Sequence, residues 1–100
     1  MKIVVSFSAR NHFSNGFDFY ERQSEDLGSY FLQSLYADIE SLRLYAGIHL
    51  NVFGYHRLLS KRFPYAVYYD LEVRTIRIWA VLDCRQDPAT IRHRLAGLRP

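Results

Sequence analysis

The spacing of apolar residues changes several times along the chain, and each change marks an element. Lys2 to Phe7 reads as a first strand. Its Ile3-Val4-Val5 run is too uniformly apolar for a strand with one wet face, so it is expected inside the molecule or covered. From Ser8 the period lengthens: Ala9, Phe13, Phe17 and Tyr20 fall on one helical stripe that ends near Arg22, with Asn15 and Gly16 opposing it by propensity. Ser24 is placed to cap a second helix, with Glu25 and Asp26 in a first turn that favours negative charge. Leu27, Phe31, Leu35, Ile39 and Leu42 then step along one face, and Gly47 is suited to a left-handed stop. Two such helices joined by a short connection form an antiparallel hairpin able to cover one face of a sheet.

The carboxy-terminal half changes to period two. The segment HLNVFGYHRLLSK alternates imperfectly, and Gly54 marks either a bulge or the start of a strand near Tyr55. A further strand is expected to open at Phe63, with Pro64 tolerated at its beginning. Phe63, Tyr65, Val67 and Tyr69 point one way and Ala66 and Tyr68 the other, so both faces carry aromatic surface. Asp70 to Arg74 lacks the Asn-Gly pair of a tight hairpin, which predicts a slightly longer loop. In the last strand strict alternation places Ile76, Ile78, Ala80 and Leu82 on one face and Arg77, Trp79, Val81 and Asp83 on the other. Asp87 caps and Pro88 opens a short final helix anchored by Ile91 and Leu95, with Gly97 beyond its end. The expected architecture is α+β in the order β-α-α-β-β-β-α, a helix hairpin on one face of a small, mainly antiparallel sheet, as a single domain over residues 1–100.

Composition narrows the class. The chain is 49% apolar and 16% aromatic, which excludes disorder and fibrous repeats. The apolar run after Lys2 is too short for the core of a signal peptide, and no run approaches the roughly 20 residues of a membrane span, so a cytoplasmic protein without membrane contact is expected. Cys84 is the one cysteine, which excludes an internal disulfide and a multi-cysteine zinc site; neither a metal nor a small-molecule cofactor is expected. Charge is unevenly placed: residues 1–56 carry a net of −2 and residues 57–100 a net of +5. Eleven of the thirteen cations are arginine, whose planar fork suits carboxylate or phosphate.

With these elements in place, Leu27-Gly28 at the head of the second helix, Gly54-Tyr55-His56-Arg57, Lys61-Arg62-Phe63-Pro64-Tyr65, Tyr68-Tyr69, Ala80-Val81-Leu82 and Arg85-Gln86-Asp87-Pro88 together resemble the RelE/ParE toxin superfamily over nearly the whole chain. The resemblance implies the toxin half of a bacterial type II toxin–antitoxin module, also described as plasmid stabilisation, with a cognate antitoxin whose tail wraps the toxin. It also implies one of two activities. RelE-like members cleave messenger RNA on the ribosome, whereas ParE-like members poison DNA gyrase.

A nuclease needs an acid, a base and cations converging on one phosphate. Arg57, Lys61, Arg62, Arg77 and Arg85 are candidate cations, and His56 and His93 are candidate proton carriers. Between Ile48 and Arg62 there is no carboxylate, beyond Trp79 there is no tyrosine, and Cys84 stands before Arg85 where relatives often have histidine. These departures favour a ParE-like protein that is not an enzyme and inhibits DNA gyrase. An mRNA endoribonuclease acting with the ribosome is the alternative, and a diverged binding module without toxicity is a third. On the favoured reading Arg57, Arg62, Arg77, Trp79 and Arg85 are expected to meet the antitoxin or the target.

Overall fold

The computed structural model describes residues 1–99. Strand β1 (Lys2–Val5) leads into helices α1 (Phe7–Glu21), α2 (Leu27–Glu40) and the short α3 (Leu42–Tyr45). Strands β2 (Asn51–Val52), β3 (Tyr55–Leu59), β4 (Tyr65–Glu72) and β5 (Thr75–Asp83) follow, and α4 (Pro88–Leu95) closes the chain. The sheet order is β1-β5-β4-β3-β2, with β1 parallel to β5 and every other pair antiparallel. The α+β order expected from the sequence is therefore present, with β2 and α3 added.

The α1–α2 hairpin packs on one face. Ala9, Phe13, Tyr20, Phe31, Leu35, Ile39 and Leu42 meet Tyr65, Val67, Tyr69, Ile76, Ile78 and Val81, all buried. Each large apolar side chain so buried contributes roughly 1.5–3 kcal/mol. The helices approach closely because α1 offers a glycine: a Cβ at Gly16 would lie 2.6 Å from two ring atoms of Phe31. Packing thus explains a residue that propensity disfavours.

α2 does not begin as expected. Ser24 lies in the connecting turn, Asp26 adopts a left-handed φ of 67°, and its side chain makes no cap. The carboxylate of Glu21, at the end of α1, instead accepts from the backbone N–H groups of Asp26 (3.0 Å) and Gly28 (2.9 Å). One side chain thereby closes the turn and satisfies two backbone donors at the start of the next helix.

The second sheet face is covered by α4 rather than left free. Tyr55, Ala66, Tyr68, Ala80 and Leu82 pack against Ile91 and Leu95, and the Tyr55 hydroxyl donates to the Leu95 carbonyl at 3.0 Å. Asp87 caps α4 by accepting from the Ala89 N–H at 2.8 Å, as its sequence predicts. Arg99 fastens the tail: it donates to Asp70 and to the Gly54 carbonyl and lies 4.1 Å over the Tyr55 ring.

Strict alternation fails in β5. Tyr68 pairs with Ala80 but Tyr69 pairs with Ile78, so Trp79 is the extra residue of a β-bulge. Before it Ile76 and Ile78 face the helix hairpin; after it Val81 does, while Ala80 and Leu82 turn to α4. The expected grouping of Arg77, Trp79, Val81 and Asp83 on one face is therefore broken between Trp79 and Val81. The β4–β5 connection is also shorter than expected. Glu72 pairs with Thr75, leaving only Val73 and Arg74, and Arg74 takes the left-handed position with φ 58°. Phe63 and Pro64 precede β4 rather than opening it, and Phe63 packs its ring among Tyr20, Tyr30 and Phe31.

Candidate interaction surfaces

A surface recess of about 870 Å³ runs along β1. β1 is an edge strand, half-buried at Ile3, Val4 and Val5, and not the covered strand its apolar run predicts. Lys2 and Ser6 direct their N–H groups to β5, at 3.0 Å from the Arg74 and Ile78 carbonyls. Alternation along a strand then turns the backbone groups of Ile3 and Val5 outward. Beside this row of donors and acceptors lie Phe13 and Phe17 of α1 and Leu32 and Tyr36 of α2, with Lys2 and Arg10 supplying positive charge. A free strand edge next to an apolar trough suits an extended peptide that adds a strand and seats alternate side chains.

Beyond the end of β1, α1 takes over the edge. The Ser6 hydroxyl donates to the Trp79 carbonyl at 3.2 Å, and the Val81 N–H donates to His12 Nδ1 at 3.1 Å. His12 therefore carries its proton on Nε2 when neutral. Burial, aided by the charge of Arg94, lowers its pKa below the usual histidine value. No residue pattern signals this role, because the need for an acceptor arises only from the bulge.

The candidate cations do not converge. Arg57 pairs across the ladder with Tyr68, which sets it on the α4 face, its guanidinium beside the Tyr68 hydroxyl. Burial raises the Tyr68 pKa, so that phenol stays protonated at neutral pH. Arg77, opposite Asp70, is on the same face and pairs with Glu72 at 3.2 Å; Trp79 packs against the α4 cluster. The Nε of Arg57 and the indole N–H of Trp79 are buried without hydrogen-bond partners among the described residues. Arg62 lies on the other side of the sheet, where it donates to the Tyr30 hydroxyl of α2 at 2.7 Å, and Lys61 is exposed next to it. Arg85 grips the Asp83 carboxylate at 2.7 Å beside Tyr20 and Tyr65. That contact holds the Asp83 carboxyl below its ordinary range, while burial pushes Tyr65 up to about 12.

The histidines divide likewise. His56 turns to the hairpin face, stacked on Tyr69 at 5.1 Å, its Nδ1 3.0 Å from the His49 carbonyl. Neighbouring Arg57 points the opposite way. His49 Nδ1 lies 2.5 Å from the Tyr69 hydroxyl, which also accepts the Gly47 N–H, and burial lowers the His49 pKa. His93 is exposed on α4. No group of three or more His, Cys, Asp or Glu residues able to hold a metal occurs among the described residues. No helix among them is long and apolar enough to cross a membrane.

No family model and no curated protein matches the sequence. Among solved structures, a chain of the "Chromosomal ParDE TA system from P. aeruginosa" superposes with a TM-score of 0.73 at 17% identity, over 81% of this chain and 92% of that one. The fold is ParE-like.

Proposed function

We propose that this protein is the toxin component of a type II toxin–antitoxin (plasmid stabilisation) module, that it inhibits DNA gyrase, and that a cognate antitoxin neutralises it. The ParE-like fold supports a toxin partnered by an antitoxin. The observation that carries the choice of activity is the division of the candidate cations and histidines between the two faces of the sheet. Arg57 and Arg77 lie on the α4 face, while Arg62, Arg85 and His56 lie on the other, so the candidate cations and His56 are not gathered around one phosphate-sized space. Inhibition by surface complementarity requires no such convergence. The antitoxin's extended segment pairs with the outer edge of β1 and lays apolar side chains between α1 and α2, with its carboxylates near Lys2 and Arg10. Arg57, Arg77 and Trp79 provide a second contact surface, and Arg62 and Arg85 are further contacts outside the β1 groove.

Induced expression of the chain in a bacterial host tests this. The expected result is growth arrest with a DNA-damage response and recovery of gyrase with the tagged protein, relieved by co-expression of the neighbouring antitoxin gene. Rapid cleavage of transcripts at codon boundaries with intact chromosomal DNA would establish the endoribonuclease instead. Normal growth on folded protein would leave a binding module without toxicity.

A further inference from the structure

A smaller recess, about 330 Å³, lies between α2 and the β3–β4 loop, away from the β1 groove. Its wall includes Asp38, which is only 6% exposed. Asp38 Oδ2 has no hydrogen-bond partner among the described residues, although a carboxylate removed from water needs one. The chain's own cations stand at the rim. Arg62 is held off by Tyr30, donating to its hydroxyl at 2.7 Å with the guanidinium 5.8 Å from the ring centroid, and Lys61 is exposed. The Asp38 carboxylate makes no ion pair within the described residues. Buried Ser34 and the amide of Gln33 add neutral polar groups.

The recess therefore has an anionic wall and a cationic rim. A lone cation would be repelled at the rim, and a lone anion would meet Asp38 inside. The complement places positive charge inward and negative charge outward. The volume is at the lower end of ligand sites, roughly 300–1,000 Å³, which suits a side chain and its neighbour better than a cofactor. We propose that the Asp38 recess is a recognition site for a peptide of a partner protein that presents an arginine followed by an acidic residue. The guanidinium donates to Asp38 inside, while the acidic residue pairs with Lys61 and Arg62 at the rim. This holds whether or not the partner is an antitoxin.

The test uses the whole chain, labelled with ¹⁵N, titrated with a capped Arg-Glu dipeptide. Saturable shifts are expected at the amides of Ser34, Ala37, Asp38, Ser41, Lys61 and Arg62. Dipeptides with neutral citrulline in place of arginine, or glutamine in place of glutamate, should bind at least about tenfold more weakly, as loss of one charge-assisted contact implies. Asp38→Asn should abolish the preference for arginine over citrulline, and the exposed double variant Lys61→Gln/Arg62→Gln should abolish the preference for glutamate over glutamine. The second variant decides the question if the first does not fold. Absence of saturable shifts, equal binding of arginine and citrulline peptides, or selectivity that survives both variants would overturn the proposal. Growth arrest and gyrase capture are read separately, so failure here is distinguishable from failure of the toxin function.

Discussion

Replacing Gly16 by alanine sets two effects of opposite sign against each other. Helix propensity alone makes alanine better by about 1 kcal/mol in the interior of α1. The new Cβ, however, lies 2.6 Å from Cε2 and Cζ of Phe31, so reaching an ordinary contact of 3.4 Å requires a retreat of 0.8 Å. The Phe31 ring has nowhere to go. It is fully buried, with ring centroids of Tyr20, Phe63 and Tyr65 at 5.1, 5.2 and 4.9 Å. Overpacking of a dense core costs about 1–3 kcal/mol, so the net expectation is a loss of about 1 kcal/mol, or roughly 4–8 °C in Tm for a domain of this size. Thermal and urea unfolding followed by circular dichroism measure it. The decisive comparison is a double-mutant cycle with Phe31→Leu, in whose background the clash is relieved and Gly16→Ala should become neutral or stabilising. If Gly16→Ala has the same effect in both backgrounds, the close approach at Gly16 is not what limits that position.

Four further outcomes follow from the same geometry. His12 and His49 have lowered pKa values in the folded state, so the unfolded chain binds more protons as pH falls below about 6.5; stability should be full above that value and decline from there down to the folded pKa values, with a smaller slope in His12→Gln. Urea midpoints that stay level from pH 8 to 5 would refute this. Asp87→Ala removes the α4 cap and should cost about 1 kcal/mol by urea unfolding. Arg10→Glu, at an exposed site in the β1 groove, should weaken antitoxin binding about tenfold in calorimetry without lowering Tm; unchanged affinity would remove the groove from the interface. Arg77→Ala with Trp79→Ala should also weaken antitoxin binding, and an unaltered Kd would exclude the α4 face.

Where local chemistry decided the structure, the sequence showed it. The stripes from Ala9 to Tyr20 and from Leu27 to Leu42, the alternation of β4, and the Asp87-Pro88 start of α4 all appear as their residues imply. What it did not show depends on contacts between distant segments. The bulge at Trp79 has no residue signature of its own; it is held by α1, through Ser6 and His12, and it reverses the facing of every residue after it. Glu21 capping α2 is visible only once the inter-helix turn brings it near. The site residues were legible as chemical types and not as a constellation. Arg57 and Arg62 are five positions apart, yet a strand end and a loop send them to opposite sides of the sheet. No spacing or motif in the sequence singles out Asp38, and its burial beside the β3–β4 loop is a tertiary fact.

The parallel pairing of β1 with β5 also sets the order in which the molecule can be completed. Lys2 pairs with Thr75 and Val5 with Ile78, so β1 is seated only after the chain through β5 has been synthesised. Contacts of such separation form late, because the intervening loop must close before they are rewarded. The β1 groove, with one wall from the start of the chain and its support from the last strand, therefore does not exist on a nascent polypeptide. A partner that recognises this edge must capture the finished fold, and the interval between release of the chain and capture is governed by partner concentration and association rate.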